Sequence, residues 1–420
     1  MDAREQHAFD IVDTKTERIL ELFRLVIGVD TTVPPGRNYD TLVELLEPEF
    51  QRLGFSTERV LVPEERWRAI PLPLDGPRVN LVATRTAGKE PISIYAHMDV
   101  VPIEEGWTTD PFEATLRDGR IYGRGTADMK GAIASILLAF EVMQEAGIEP
   151  NFDPIVCLCT DEEIGGYPGV QYLAEQGYLK GHMLCLEGGQ DPRIGLASAG
   201  AVDVTITTHG RSGHSGMNFL SINAIDAMVP ILNELMKLKA EVEKRESVVP
   251  GMPHPQAPST QMTPMFNLAL INAGVKSNIV PATCTLLVNR RYIPDERYED
   301  VVAEIKAAVA RGQDQSNALE VTVETFHVYP ALRMRGAEGP RTRKMIEAAK
   351  LVHGYSDDDF LAFGASGSTD MANVQQVMGW DDIPFRGPGR IDSKAHGADE
   401  FVRLEDVKSY VKELIHYLAF

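Results

Sequence analysis

Short apolar segments rich in β-branched residues alternate with amphipathic helical segments near both ends of the 420-residue chain. This alternation is typical of a mostly parallel sheet that is covered by helices on both faces. The predicted strands are 78–84, 91–96, 154–160 and 183–186. Apolar residues at spacings of three and four predict helices at 13–28, 39–54, 131–146, 222–245, 296–311, 340–353 and 404–418. The sequence therefore predicts an α/β domain with a mostly parallel, mixed sheet.

A different pattern interrupts this domain in the middle of the chain. Four stretches with apolar–polar alternation surround two of the predicted helices in the order β-α-β-β-α-β. These stretches are 202–208, 264–272, 282–289 and 319–328. The order is typical of a ferredoxin-like α+β domain, in which two helices cover one face of an antiparallel sheet. We therefore predict an α/β domain in two parts, 1–197 and 329–420, and an inserted domain at 198–328.

The charge balance limits the partners of the protein. Lys and Arg number 41 against 61 Asp and Glu, which gives a formal net charge of −20. A nucleic-acid-binding protein needs a basic stripe, and the sequence shows none. The longest apolar run, Gly131–Phe140, is too short to cross a bilayer. We predict no nucleic-acid partner and no membrane partner.

The cysteines and the first residues indicate the compartment. Met1–Asp10 is polar and charged, unlike a secretory signal. The four cysteines lie in apolar, strand-like segments, where reduced core thiols are expected; they are Cys157, Cys159, Cys185 and Cys284. A Cys-X-Cys metal site is the alternative, but no second cysteine pair supports it. These features predict a cytoplasmic protein.

A histidine and an aspartate close the predicted strand 91–96, in the string Tyr95-Ala96-His97-Met98-Asp99. Positions i and i+2 of a strand share a face, so the Asp99 carboxylate could reach the back of the His97 ring. Metal-binding histidines usually donate their second N–H to such an oxygen, which fixes the tautomer. An ordinary surface pair remains the alternative for this motif alone.

The string Gly123-Arg124-Gly125-Thr126-Ala127-Asp128 forms a glycine-rich turn before a predicted helix. A phosphate-binding loop does not fit, because the glycine spacing differs and Asp128 would repel phosphate. Taken by itself, Asp128 is better explained as a helix N-cap. Its role therefore depends on the other motifs.

Carboxylates also follow two further predicted strands. Asp161, Glu162 and Glu163 come directly after 154–160, and Glu187 follows 183–186. Crowded carboxylates repel one another unless solvent or a cation compensates their charge. Ligands of parallel α/β sheets bind at the carboxyl ends of the strands. Since these motifs are expected at one edge of one sheet, their convergence favours a metal centre over solvated loops.

Together with later strings, these motifs resemble the co-catalytic zinc aminoacylase family. This family includes acetylornithine deacetylase, succinyl-diaminopimelate desuccinylase, glutamate-releasing carboxypeptidases and related dipeptidases. The later strings are Gly213-His214, Asn278, Arg291, Gly387-Pro388-Gly389 and His396-Gly397-Ala398-Asp399-Glu400. The resemblance covers nearly the whole chain and implies a zinc-exopeptidase-like catalytic domain with an inserted lid and dimerisation domain.

The resemblance implies two divalent metal ions per chain and five protein ligands. His97 and Glu187 would hold one ion, Glu163 and His396 the other, with Asp128 bridging both. Mixed nitrogen and oxygen ligands suit zinc first, and manganese or cobalt could occupy the same set. Relatives also commonly have a cis peptide bond after this aspartate, so we expect one at Asp128–Met129.

The resemblance also implies the catalytic residues. Glu162 matches the general base that takes a proton from the attacking water, and Asp99 matches the residue behind the ligand His97. His214 matches a histidine that stabilises the oxyanion in the site of the neighbouring subunit. A loop histidine without a role remains the alternative for His214.

The resemblance further assigns residues to substrate binding. Arg291 would pair with a substrate carboxylate, although Asn289 replaces the aspartate often found two residues earlier. Asn278 would face the substrate, and Gly367 and Ser368 would line the pocket. Arg386 is unusual in its string and is either a substrate-selecting cation or a surface arginine.

The prediction is a metal-dependent hydrolase that cleaves an amide bond in a small carboxylate-bearing substrate, such as an N-acyl amino acid or a dipeptide. It would form a homodimer or a higher homo-oligomer through the lid. Hydrolysis of another C–N bond, in an arylamine or amidine, is the first alternative. A non-catalytic metal-binding scaffold is the second, although it would not need the base Glu162.

Overall fold

Strands and helices alternate near both ends of the chain in the computed structural model, which describes residues 2–420. The helices are α1 (Ala3–Thr14), α2 (Thr16–Ile27), α3 (Tyr39–Arg52), α4 (Glu64–Trp67), α5 (Lys130–Glu145), α6 (Gly169–Glu175), α7 (Ala224–Val242), α8 (Tyr298–Gln313), α9 (Pro340–His353), α10 (Met371–Met378) and α11 (Leu404–Ala419). Short 3₁₀ helices cover Ser215–Leu220, Gly336–Glu338 and Asp357–Asp359.

All eight predicted strands are present, and residues 2–420 contain nine further strands that the sequence analysis did not predict. The strands are β1 (Ser56–Leu61), β2 (Val79–Thr84), β3 (Pro91–His97), β4 (Thr115–Arg117), β5 (Arg120–Tyr122), β6 (Asp153–Cys159), β7 (His182–Cys185), β8 (Arg193–Ser198), β9 (Gly200–His209), β10 (Gly213–His214), β11 (Met265–Ala273), β12 (Ile279–Val280), β13 (Thr283–Tyr292), β14 (Glu320–Tyr329), β15 (Leu332–Arg333), β16 (Leu361–Ala365) and β17 (Phe401–Arg403).

The first of two compact units contains the residues up to 195, 334–362 and 373–420. Its main sheet has the order β1-β2-β6-β3-β7. Strand β3 runs parallel to β6 and β7, whereas β2 is antiparallel to β1 and β6. The sheet is therefore mixed, with its parallel part in β6, β3 and β7. All positions of β6 and β7 are buried, as expected for strands covered on both faces.

The second unit contains residues 196–333 and 363–372. Its sheet has the order β11-β13-β9-β14, and all neighbouring strands are antiparallel. Helices α7 and α8 pack against each other, and their apolar residues share a core with the sheet. This is the ferredoxin-like arrangement predicted for the insert.

The second unit extends slightly beyond the predicted limits 198–328, to 196–333, and includes one further segment. Residues 363–372, predicted in the α/β domain, group with the insert. The backbone N–H of Ala199 donates to the carbonyls of Ala365 and Gly367, and Gly364 donates to Pro250. Backbone pairing between distant segments of this kind leaves no periodicity in the sequence.

The helices differ from the predictions mainly near the first residues and at short elements. The predicted helix 13–28 covers the end of α1 and the whole of α2. The helical conformation is interrupted between them at Lys15. Asp2 caps α1 by accepting a hydrogen bond from the Arg4 N–H at 2.5 Å. Helices α6 and α10 are only two turns long, too short to show an amphipathic period.

Two other predictions concern the state of the cysteines and membrane-spanning helices. All four cysteines are buried and free, as predicted. None of the helices in residues 2–420 combines the length and the apolar character that crossing a membrane requires.

Candidate metal centre

His97 lies at the end of β3 and is completely buried. Its Nδ1 lies 3.0 Å from the carbonyl oxygen of Asp99, and its Nε2 lies 3.1 Å from Asp128 Oδ1. A carbonyl only accepts, so Nδ1 must carry a hydrogen, and in the neutral ring Nε2 then presents its lone pair to the carboxylate. A proton or a cation between Nε2 and Asp128 is needed to make this contact favourable.

A second imidazole contacts the other oxygen of the same carboxylate. His396 Nε2 lies 3.3 Å from Asp128 Oδ2 and 3.1 Å from Glu163 Oε2. His97, Asp128 and Glu163 each present one ligand atom within 4.8 Å of the others. Asp128 thus lies between two histidines, the arrangement that a bridging ligand requires.

Within residues 2–420, an unpaired carboxylate oxygen of Glu163 is a second observation that supports a divalent cation among these side chains. Glu163 Oε1 is buried and has no hydrogen-bond partner among the described residues. A buried carboxylate oxygen without a donor is costly unless something else compensates its charge. Two imidazole nitrogens and several carboxylate oxygens are the ligands that zinc, manganese and cobalt accept.

The pKa directions show how these groups respond to one another. Hydrogen bonds that the His396 ring donates to the Asp128 and Glu163 carboxylates raise the pKa of His396 to about 10. Burial alone would lower the pKa of His97, but Asp128 and Asp99 hold it well above its usual value. Burial and the Asp128 charge raise the pKa of Glu163. The carboxylates thus favour positive charge at both imidazole positions.

The Asp128 turn departs from the simple helix-cap interpretation. Helix α5 begins at Lys130, and its N-cap residue is Met129 without a side-chain hydrogen bond. Asp128 therefore precedes the cap, and its carboxylate contacts the histidines instead. The Asp128–Met129 peptide bond is cis, as the resemblance implied.

Asp99 contacts His97 differently from the prediction. The nearest oxygen to His97 Nδ1 is the Asp99 backbone carbonyl at 3.0 Å, whereas the carboxylate Oδ1 lies 3.6 Å away. The carboxylate Oδ2 instead accepts a hydrogen bond of 2.8 Å from the Glu163 N–H. Asp99 thus orients His97 through its backbone carbonyl and holds the Glu163 backbone through its side chain.

The turn that carries Glu162 and Glu163 rests on a buried ion pair that the sequence did not indicate. Asp161 has a φ of 63°, and its Oδ2 accepts a hydrogen bond of 3.0 Å from Arg78 Nε. Tyr39 donates to the other Asp161 oxygen at 3.1 Å. Burial raises the pKa of Asp161 to about 6, although Arg78 opposes this shift. The Asp161-Glu162-Glu163 string alone gave no signal that its first member pairs inward.

Glu187 lies close to the predicted base Glu162. It presents a carboxylate oxygen within 4.8 Å of one from Glu162. Asp128 and Glu187 also line the same cavity of about 300 Å³, together with Gly389 of the predicted glycine string. The structure thus places Glu187 next to the predicted base Glu162 and on the same cavity as Asp128.

Arg386 is neither a surface arginine nor a free cation for a substrate. It is buried, and its Nε and Nη2 donate to Glu413 of α11 at 2.6 and 2.9 Å. Its remaining donors bind the carbonyls of Gly189, Gln190 and Asp191. All five N–H groups are therefore used inside the protein, and both interpretations of Arg386 are wrong.

The predicted residues His214 and Asn278 of the second unit lie close together at the paired strands β10 and β12. His214 lies in β10, which pairs with β12, and Asn278 directly precedes β12. Ser215 N–H donates to the Asn278 carbonyl at 3.1 Å. His214 is exposed, and its Nδ1 accepts a hydrogen bond of 3.1 Å from the Gly216 N–H. This contact leaves Nε2 as the N–H of the neutral ring.

The remaining predicted residues form a second cluster in the same unit. Arg291 Nη1 donates to Ser368 Oγ at 2.8 Å, and Ser368 Oγ donates to the Ala199 carbonyl at 2.7 Å. The Gly367 carbonyl accepts from the Ala199 N–H at 3.1 Å. Asn289 donates to Asp203 at 2.7 Å, so an aspartate from the adjacent strand lies beside this position.

The fold and the donor set define a metal-dependent hydrolase. The chain belongs to the family described as Peptidase family M20/M25/M40, whose model matches residues 93–419. It is 26% identical over 408 residues to an acetylornithine deacetylase of Klebsiella pneumoniae, covering 95% of this chain and 97% of that protein. It is thus a metal-dependent enzyme that hydrolyses amide C–N bonds in small substrates.

Solved structures share the same fold. The di-peptidase Dug1p of Saccharomyces cerevisiae has a TM-score of 0.77 at 16% identity, covering 99% of this chain and 98% of that one. A Bacillus subtilis protein described as a dinuclear metal binding peptidase has a TM-score of 0.64 at 15% identity, covering 96% and 98%. Both span nearly the whole chain, including the inserted unit.

Proposed function

We propose that the enzyme removes the acyl group from an N-acyl amino acid, or cleaves a dipeptide-like bond, in a small substrate that bears a carboxylate. The observation that carries the proposal is Asp128, whose two oxygens contact His97 and His396 while Glu162 lies beside the ligand Glu163. Acetylornithine deacetylase, the activity named for the curated relative, belongs to this class of reaction.

The proposed centre holds two divalent ions. His97 and Glu187 would hold one and Glu163 and His396 the other, with Asp128 shared. Zinc is the proposed metal, and manganese or cobalt fits the same ligands. Ions bound there would acidify a water molecule and polarise the scissile carbonyl.

The protein groups carry the proton and orient the substrate. Glu162 accepts the proton of the attacking water and returns it to the leaving nitrogen. The His214 Nε2–H is available to donate to the developing oxyanion, since Nδ1 already accepts from Gly216. The Arg291 guanidinium, held at Nη1 by Ser368, keeps donors for a substrate carboxylate, and Asn278, Gly367 and Ser368 complete the proposed substrate contacts.

A product assay on the metal-loaded enzyme tests the proposed reaction. We expect carboxylate release from N-acyl amino acids or dipeptides, loss of turnover after chelation, and recovery with zinc, manganese or cobalt. Ammonia release from arylamines or amidines, without amide cleavage, would replace the proposal with the alternative C–N hydrolysis. Arg386 had suggested a modified pocket for that alternative, but its donors are all bound within the protein.

We further propose that the protein forms a homodimer through the second unit. Strand β11 lies at one edge of its sheet, and its Leu270 and Ile271 are 58% and 54% exposed. Helix α7 exposes Val229 and Met236. An apolar edge strand is a template for pairing with another chain, and a second copy would cover it symmetrically. The four buried thiols fit the cytoplasm as the proposed compartment.

Mixed dimers of two inactive variants test the shared site. If His214 serves the partner's centre, mixing Glu162→Gln chains with His214→Ala chains under subunit exchange should restore about a quarter of wild-type site activity. Each mixed dimer then has one site with Glu162 from one chain and His214 from the other. Each variant mixed with itself is the control. No recovery despite proven exchange would contradict the role of His214 in the partner's site.

A further inference from the structure

Glu400 is a completely buried carboxylate between the two loops that carry Asp128 and His396. Its Oε1 accepts hydrogen bonds from the N–H groups of Ala127 at 2.8 Å and Asp128 at 3.0 Å. Its Oε2 accepts from the Gly125 N–H at 3.1 Å and from Arg124 Nη1 at 2.7 Å. All four contacts use Glu400 as an acceptor.

Arg124 extends this network to the second loop. It is 1% exposed, and its Nη2 donates to the backbone carbonyl of His396 at 3.2 Å. One guanidinium thus contacts both Glu400 and the backbone of His396. Its planar fork allows these two contacts at once, which a lysine could not reproduce.

The glycine-rich turn explains how its backbone reaches Glu400. Gly125 has a φ of 86°, and a Cβ at this position would lie 2.9 Å from Val100 Cγ1. A residue with a side chain would be strained there. The turn folds so that the N–H groups of Gly125, Ala127 and Asp128 converge on an anion, as N–H groups do in phosphate-binding loops. Here the anion is the protein's own Glu400.

We propose that Glu400 and Arg124 are positioning residues that hold the Asp128 loop and the His396 loop in register for metal binding. The inference rests on the proposed metal centre and adds two residues that touch neither the cations nor the substrate. The Asp128 backbone N–H donates to Glu400, and the His396 backbone carbonyl accepts from Arg124. Each loop is thereby fixed relative to the same buried ion pair.

Glu400→Gln is an informative substitution because it keeps the shape and changes the hydrogen bonds. Each carboxylate oxygen accepts from two donors, so the amide NH₂ of glutamine would face two N–H groups whichever way it points. Two contacts would be lost, and the Asp128 loop would be free to shift. Substitution of a residue that hydrogen-bonds to a metal ligand typically weakens metal affinity about 10–100-fold.

Asp153→Asn provides a matched control. Asp153 lies at the start of β6, at the opposite end from the turn with Glu162, and accepts from Ala87 N–H at 2.7 Å, Gly88 at 3.0 Å and Lys89 at 3.1 Å. It too is a buried carboxylate that binds three backbone donors of a loop. The control therefore reports the cost to stability of losing such contacts away from the ligands.

The experiment titrates the metal-free full-length protein with Zn²⁺ in competition with a chelating dye and records thermal unfolding of each variant. We expect Glu400→Gln to bind Zn²⁺ about 10–100-fold more weakly than wild type, and Asp153→Asn to lose thermal stability but keep wild-type affinity. Arg124→Lys should also weaken Zn²⁺ binding, and it carries the test if Glu400→Gln does not fold.

The outcomes separate this inference from the proposed function. Wild-type Zn²⁺ affinity in a folded Glu400→Gln or, where that variant does not fold, in Arg124→Lys, would overturn the positioning role and leave the metal centre intact. Equal weakening in Asp153→Asn would also overturn it, because the effect would then be one of general stability. Absence of Zn²⁺ binding by the wild type would instead overturn the proposed centre and this inference with it.

Discussion

Replacing Asp128 with alanine is expected to abolish turnover and to reduce bound metal below one ion per chain. Asp128 contacts both histidines of the proposed centre, through Oδ1 at 3.1 Å and Oδ2 at 3.3 Å. Its removal takes away the shared ligand and one negative charge that compensates the cations. Metal analysis of the purified variant together with amide-hydrolysis assays measures both effects.

The control for this variant is a carboxylate on the surface of the same unit. Asp13 pairs with Lys412 at 2.7 Å, and its side chain is 51% exposed, so Asp13→Ala should retain metal and activity. Unchanged thermal unfolding of Asp128→Ala would show that the loss of metal does not come from unfolding. Two ions retained by Asp128→Ala would contradict its assignment as the bridging ligand.

Replacing Glu162 with glutamine is expected to separate chemistry from binding. Glu162 is 8% exposed and lies beside Glu163, but in the proposal it binds no ion. Glu162→Gln should therefore keep both ions and the substrate affinity, while kcat falls by roughly 10²–10⁴-fold, because glutamine cannot accept the proton of the water. Metal analysis and steady-state kinetics on the same preparation measure both properties.

The adjacent residue supplies a sharp comparison. Glu163 contacts His396 at 3.1 Å and should behave as a ligand, so Glu163→Gln should lose metal affinity as well as turnover. The two substitutions differ by one position and remove the same charge. A near-normal kcat in Glu162→Gln, or loss of both ions from it, would show that the base is another residue.

The convergence of three of the proposed ligands could be predicted from the sequence because each of them ends or follows an apolar strand. His97 and Glu187 lie at or after the ends of β3 and β7, and Glu163 lies in the turn after β6. Parallel strands bring their carboxyl ends to one edge, so local pattern and elementary sheet geometry were enough to expect these residues together. The β-α-β-β-α-β order of the insert was equally local, since each alternating stretch is a complete strand.

The parts that could not be predicted depend on partners distant in the chain. Arg386 looked available because nothing near it in sequence reveals that Glu413 and three carbonyls occupy its donors. The glycine-rich turn was visible in the sequence, but nothing near it indicated that its N–H groups bind the Glu400 carboxylate. Periodicity identifies the buried face of an element and does not identify which charged residue will lie opposite it.

The order in which the chain is synthesised has a consequence for the assembly of this site. His97 and Asp128 precede the insert in the sequence, whereas His396, Glu400 and the segment 363–372 follow it. Domains generally fold as units while the chain is still growing, beginning with the earlier segments. The residues of the Asp128 turn are therefore synthesised long before Glu400, whose carboxylate their N–H groups bind. Because the proposed ligand set includes His396, a growing chain holds only part of it, and we expect no hydrolysis before this C-terminal segment has been synthesised.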